Sequence, residues 1–333
     1  MTSLLATRRG MLGAALTAAS GGIAPLRAAT VVPEAALLIA PGPQDGPTAR
    51  FAADAVRGLA RGLVQAAALR VAVVGGPDGI TAANRFATSA PAEHPLLLLL
   101  LPGLAAQAQL VGDPRARFEP RRWPAVAGSL QPAILAGRRA PGRQPLRLAT
   151  PSPAAPETAA LLALEALGIA GSAVPLAAGT SAEAAVAAGA ADAAVLTGPG
   201  LTERAAALGL TPWFVFDGPA GTRDPALPDL PTLGEVLPDP AAPDLVSAIR
   251  AAGAALRIRG LVVLPALTAS DSVAMWRGAA RRWVEAEPDM AAPGTRLLGP
   301  EPTADALVTL CPRPEVTLAY REWLHQRLGW QAS

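Results

Sequence analysis

The chain has 333 residues, 51% of them hydrophobic and 16% charged, enough for two domains of roughly 100–200 residues each and for a sizeable core. All 28 basic residues are arginine, against 26 acids; with Arg8, Arg9 and Arg27 in the first 28 residues, the remaining 25 leave a near-neutral chain, which argues against nucleic acid as a partner. The single cysteine, Cys311, excludes an internal disulfide and a multi-cysteine metal site.

Residues 1–28 read as an export signal. Arg8-Arg9 supply the positive start, residues 11–23 the apolar stretch, and Leu26-Arg27-Ala28 a cleavage site after Ala28. Thr7-Arg8-Arg9-Gly10-Met11-Leu12 has the form of a twin-arginine export motif; an ordinary secretory leader with two arginines is the alternative. No other segment has the ~20 apolar residues of a membrane span.

Residues 36–40 form a first apolar strand. The turn-rich Pro41-Gly42-Pro43-Gln44-Asp45-Gly46-Pro47-Thr48 follows, then a helix over 49–68 with Phe51, Ala55, Leu59 and Leu63 on one face. A second strand covers 70–74, a glycine-rich turn carries Asp78, and a helix covers 81–87. The leucine run 96–101, bracketed by Pro95 and Pro102, reads as a strand buried on both faces. This alternation predicts a mostly parallel sheet with crossover helices. Residues 112–124 are polar and proline-punctuated, and are expected at the surface.

A strand at 133–136 opens a second lobe. After a basic loop over 137–145 come a strand at 146–150, the loop Pro151-Ser152-Pro153-Ala154-Ala155-Pro156, and a helix over 157–167. Residues 174–200 hold one α/β unit. Thr180 and Glu183 have capping-box spacing, an alanine-rich helix spans 182–188, and Gly189 suits a left-handed cap. A buried strand at 193–196 then leads to the tight loop Thr197-Gly198-Pro199-Gly200. A further strand lies at 213–216. Pro225, Pro228 and Pro231 hold the next run extended, and Thr232 is placed to cap a short helix. A helix over 244–256, a strand at 259–264 returning to the first lobe, and a helix over 268–287 follow. One or two closing helices complete the chain over 303–330.

Catalytic patterns are missing from the sequence. His94 and His325 stand far apart in unlike contexts. There is no nucleophile elbow, no phosphate-loop or dinucleotide glycine pattern, and no metal-ligand spacing of His or Cys. The expectation is a chain without catalytic residues, metal or cofactor. Instead, strand-ending loops rich in Gly, Pro, Ser and Thr precede helix starts, where main-chain N–H groups and the helix dipole favour a carboxylate.

Several segments, in order, resemble the receptors of tripartite tricarboxylate transporters, the Bug or TctC-like extracytoplasmic solute-binding proteins, from about residue 33 to 325. Pro225-Ala226-Leu227-Pro228-Asp229-Leu230-Pro231-Thr232 is similar to that family's S-P-A-L-P-D-V-P-T. Val174-Pro175, Gly179, Gly189 and Asp192 fit its V-P-Y-K-G…G-G-Q-V-D segment. Residues 41–48 take the place of its P-F-P-P-G-G loop, residues 118–124 of its Y-D-P-x-x-D-F-x-P, and residues 261–265 of its G-L-x-A-P strand.

The resemblance implies an α/β fold of the two-lobed, type II periplasmic-binding-protein kind. Each lobe is then a mostly parallel sheet flanked by helices, and two crossovers join them. Residues 30–128 with 246–333 make lobe 1, and residues 129–245 lobe 2. It further implies a small organic acid held in the interlobe cleft. Carried over by position, the binding residues are Pro43, Gln44, Asp45, Gly46 and Thr48 of the first loop, with Asp78 of the next loop beside them. Thr150, Ser152 and Ala155 come from the second lobe, and Thr197 and Gly198 line the far side. The implied setting is a periplasmic monomer that serves membrane permease subunits, or a sensor kinase if the fold is kept for signalling or scaffolding. Departures from the family are specific. Gly42, Gln44 and Asp45 replace a phenylalanine, a proline and a glycine; Leu176-Ala177 replaces a tyrosine–lysine pair; Leu196-Thr197 replaces an aspartate–asparagine pair; and Arg259 replaces an aromatic residue. Asp45 and Asp78 put negative charge near the expected anion, or serve as exposed turn aspartates.

Overall fold

The computed structural model describes residues 35–64, 68–89, 96–138, 145–216, 223–237, 242–287 and 294–331. The expected leader, its cleavage site and His94 lie outside these residues. The first pass of the chain is β1 (Ala35–Ala40), α1 (Pro47–Gly62), β2 (Ala68–Val73), α2 (Ile80–Thr88), β3 (Leu97–Leu101), α3 (Gly103–Val111) and β4 (Ala125–Leu130). The second is β5 (Ala133–Gly137), β6 (Leu146–Thr150), α4 (Ala159–Ala166), β7 (Gly171–Pro175), α5 (Ala182–Ala187), β8 (Ala193–Thr197), α6 (Leu201–Ala207) and β9 (Thr211–Val215). Then α7 (Leu233–Val236) and α8 (Pro243–Arg257) lead back to β10 (Ile258–Val263), α9 (Ser270–Ala286), β11 (Arg296–Leu298) and α10 (Pro300–Leu310). The last helix is α11 (Pro314–Leu328).

Two sheets result. One has the order β11-β4-β10-β3-β1-β2, the other β7-β6-β8-β5-β9. In each, four strands run in one direction, and the strand arriving from the other sheet is inserted antiparallel between the third and fourth of them. That strand is β10 in the first sheet and β5 in the second. The expected mixed α/β architecture of two helix-flanked sheets is what the chain adopts.

The leucine run explains the layering. Side chains alternate across a strand, so Leu97, Leu99 and Leu101 enter a core with α2, α3 and α10, while Leu98 and Leu100 enter another with α1 and α9. All five are buried, each contributing about 1.5–3 kcal/mol relative to exposure. Trp276 and Trp283 belong to the second of these cores, as their spacing on α9 predicts. In the other sheet Leu135, Leu148 and Val195 face one core, and Ile134, Ala149 and Leu196 the opposite one.

A layer of helices ties the sheets together at the back. Leu110 and Val111 of α3 share one core with α4, α8, α11 and the second sheet. Gly103 lets α3 approach α8 so closely that a Cβ there would stand 2.1 Å from the Ala255 carbonyl oxygen. Arg321 of α11 donates to the carbonyls of Leu110 (2.9 Å) and Gln109 (2.6 Å) at the end of α3. On the other side Trp323 donates to Glu165 of α4 (3.1 Å) and Arg327 to the Gly171 carbonyl of β7 (2.6 Å). The closing helix therefore bridges α3 and the second sheet's own elements, although by sequence position it falls in the range 246–333 grouped with the first.

Local readings change in three places. Residues 112–124 are not wholly surface: Phe118 and Trp123 are buried, the Trp123 ring stacked 5.9 Å from Phe118 and edge-on to Phe86 at 4.9 Å, because the polar residues of the segment turn outward while its aromatics cover α2. The α5 helix starts at Ala182 as read, but its cap is Ser181, which accepts from Ala184 N at 3.1 Å, not Thr180; Glu183 pairs with Arg204 instead. Finally, α1 starts at Pro47 rather than 49 and ends at Gly62, since proline is well suited to the first helical position. No helix among the described residues is long and apolar enough to cross a membrane.

Candidate functional site

Register assembles the first-lobe loops. Ala40 pairs with Val73 at the carboxyl ends of β1 and β2, so the loops that follow lie side by side. Gly42 sits where any Cβ would stand 2.5 Å from the Gly75 carbonyl oxygen. Pro43, Gln44, Asp45, Gly46, Thr48 and Asp78 thus share one edge of the first sheet. Asp45 is exposed, and its carbonyl accepts from Arg50 at 2.6 Å. Asp78 accepts from the Ile80 N–H at 3.3 Å and lies 3.3 Å from the Arg115 guanidinium, so it steadies the start of α2 and is partly neutralised.

In the second lobe, Ala149 pairs with Ala194 and Thr150 with Pro175, which brings Thr150, Ser152, Ala155, Thr197 and Gly198 to one edge as well. Thr150 is buried. The Ser152 carbonyl accepts from Ala155 N–H at 3.1 Å and from Thr158 Oγ1 at 3.0 Å. Arg204 holds the Thr197 carbonyl at 2.8 Å, and Gly198 N–H donates to Pro132 of the β4–β5 crossover at 3.2 Å. The two edges meet through Gln107 of α3, whose amide donates to the Ala154 carbonyl at 3.0 Å, and through Gly294, which lies against Pro199.

These loops offer main-chain donors sparingly. Pro41, Pro43 and Pro47 in one, and Pro151, Pro153 and Pro156 in the other, have no N–H. Gly46 N–H is committed to the Pro43 carbonyl and Ala155 N–H to Ser152. The N–H groups of Gln44, Asp45, Ser152 and Ala154 have no protein partner among the described residues. The α1 N-terminus opens on the first loop without a side-chain cap, so its orphan amides add to the positive end of the helix dipole.

One feature escapes sequence inspection. Gln107 Oε1, Glu157 Oε2 and Tyr320 OH are enclosed polar atoms, and Tyr320 stands within reach of both Gln107 and the Glu157 carboxyl. They come from α3, the turn before α4, and α11. Burial raises the Glu157 pKa and the Tyr320 pKa, so the carboxyl behind the second loop gives up its proton less readily than an exposed one. No local pattern links positions 107, 157 and 320; only the packing does.

The motif residues have structural work. Thr232 and Glu235 form the reciprocal capping box of α7 (3.2 and 2.7 Å), with Glu235 also held by Arg223; the Thr232 N–H bond, first among several, keeps the Glu235 pKa low. Asp224 pairs with Arg257 at 3.2 Å, both side chains 13% exposed, which fastens the proline run to the end of α8. Arg147 grips Asp192 through two 2.9 Å bonds and the Gly189 carbonyl at 3.1 Å. Cavities of 170, 150, 320 and 260 Å³ are lined by other residues than the predicted loop positions. No cluster of three or more metal-ligating side chains occurs among the described residues.

No protein-family model matches the sequence, and no curated protein matches it. Solved structures do resemble the fold. A TctC solute-binding protein from Polaromonas, solved without ligand, superposes with a TM-score of 0.63 at 16% identity, covering 90% of this chain and 100% of its own. MatC from Rhodopseudomonas palustris, solved with bound malate, gives 0.51 at 20% identity over 88% and 98% of the two chains. A second R. palustris protein, solved with adipate, gives 0.55 at 16% identity over 90% and 98%. The chain therefore has the two-sheet fold of the TctC and Bug solute-binding proteins that its sequence segments resemble.

Proposed function

We propose that this chain is an exported receptor that holds a small organic acid between the carboxyl-end loops of its two sheets. The observation that carries the reading is the matched strand order of the sheets, which brings residues 43–48 and 78 to one edge and residues 150–155 and 197–198 to another. The likeness in fold to proteins solved with malate and adipate supports a carboxylate as the guest. Capture would rest on the unpartnered amides and the α1 N-terminus rather than on an arginine fork, with no chemical step. The periplasm, reached by the leader, is the compartment, and tripartite-type permease subunits are the recipients. Isothermal titration of the chain lacking residues 1–28 against C4–C6 mono- and dicarboxylates tests this; saturable binding weakened by Gln44→Trp is expected, and silence across the panel overturns it.

A sensory or scaffold role is favoured by one observation: the two loops carry two carboxylates, Asp45 and Asp78, and no basic side chain. Pull-down from membranes separates the roles. Permease subunits recovered only with ligand present support delivery, and a sensor kinase recovered without them supports signalling.

A further inference from the structure

On the α1 and α9 side of the first sheet, opposite α2 and α3, a groove of 150 Å³ runs along α1. Its walls are rich in arginine: Arg50, Arg57 and Arg61 from α1 and Arg259 from β10. Positions 50, 54, 57 and 61 follow helical periodicity and lie on one side of α1. The groove also contains two carboxylates, and both are engaged, Asp54 by Arg57 and Glu287 by Arg61. Arg50 is committed to the Asp45 carbonyl.

Arg259 differs from all of these. It is half-buried, with its guanidinium carbon 6.0 Å from the centre of the Phe51 ring. It makes no hydrogen bond or direct ion pair among the described residues; burial lowers its pKa, and the nearby Asp54 carboxylate, already held by Arg57, offsets this only in part. Desolvating a cation whose nearest counter-ion is shared is costly. Ser129 also lines the groove, opposite Gly260 in the β4–β10 register and so next to Arg259 along the sheet. The residue is 1% exposed, and its Oγ has no hydrogen-bond partner. Buried polar atoms are almost always satisfied, and here a planar five-donor fork and a hydroxyl are left together facing one cavity.

We propose that this groove is an anion site separate from the interlobe cleft, taking a small doubly charged oxyanion, either a phosphate or a short dicarboxylate. Arg259 receives it through its guanidinium fork, which matches the geometry of both groups. Ser129 Oγ donates a hydrogen bond, and Arg50, Arg57 and Arg61 add positive charge along the rim. Arg259 and Ser129 lie outside the predicted cleft positions, and the site stands whether or not the receptor reading does.

The test is a set of thermal melts of the chain lacking residues 1–28 at fixed ionic strength, titrated separately with sodium phosphate and sodium succinate. The expected result is a saturable rise in Tm with at least one anion, retained in Gln44→Trp and weakened at least about tenfold in Arg259→Gln, as loss of a charged hydrogen-bond donor predicts. Ser129→Ala should weaken it less. A phosphate response lost in Arg259→Gln assigns the site to inorganic oxyanions, and a succinate response lost in the same variant assigns it to dicarboxylates. Should Arg259→Gln not melt cooperatively, Arg259→Lys keeps the charge without the fork and should bind several-fold more weakly than the parent. The proposal is overturned if neither anion gives a saturable shift, or if the substitutions at 259 and 129 leave the response intact. It is equally overturned if Gln44→Trp alone abolishes the response.

Discussion

The first-lobe cleft loops and the α1 groove lie on the same lobe and approach an anion by opposite means. The loops bring two carboxylates, no basic side chain, and a few amides that prolines have left over. The groove brings four guanidinium groups against two carboxylates already engaged. The difference teaches that loop position and charge are set independently. Strand order decides which loops converge, whereas the charge of a wall depends on which side chains the neighbouring helix turns toward it. Dipole-based capture selects by shape and the placement of donors; a guanidinium fork selects by charge and is more sensitive to salt.

The largest effect is expected from Gly42→Ala, which drives a Cβ to within 2.5 Å of the Gly75 carbonyl. Parting the first two loops should cost about 1–3 kcal/mol, as overpacking does, and remove carboxylate binding at the cleft while the groove's oxyanion response survives; urea unfolding and titration read the two. Next comes salt. Raising sodium chloride at constant pH should weaken groove binding several-fold and cleft binding less, and equal slopes would erase the contrast.

Glu157→Gln separates the regions by pH. Burial raises the Glu157 pKa, so the native state holds this proton more tightly than the unfolded chain does. This group's contribution to stability is then fully present at acid pH and is lost as pH rises from the unfolded value through the raised native one. The variant should melt higher than the parent at neutral pH and equal it at acid pH, with a flatter profile between. Cleft affinity in the variant should also lose part of its pH dependence, while groove affinity stays unchanged. The smallest and cleanest change is Thr232→Ala, which removes the α7 capping box. It should cost about 1 kcal/mol and leave both binding responses where they were.

Much of the scaffold is legible in the sequence because its signals are local. The leucine run between two prolines specifies a strand buried on both faces; Gly189 marks the end of α5 and Thr232 the start of α7. Where the signal is weak, the elements are hard to see. In α3, Gly103–Val111 is apolar nearly all round, and the short β4 and β11 carry no clean alternation. Phe118 and Trp123 sit in a polar stretch, and their burial depends on α2 offering Phe86.

The sequence alone determined the alternation of strands and helices and the strand-end loops that follow β1, β6 and β8. Those properties follow from spacing and turn chemistry within a few residues. Tertiary structure alone decided that α11 bridges α3 and the second sheet, that Gln107, Glu157 and Tyr320 meet behind the second loop, and that Arg259 and Ser129 share a groove with α1. Contacts such as that of Arg321 with Leu110, across 211 positions of chain, depend on which strands pair and which helix faces meet, and no local pattern of residues encodes that choice.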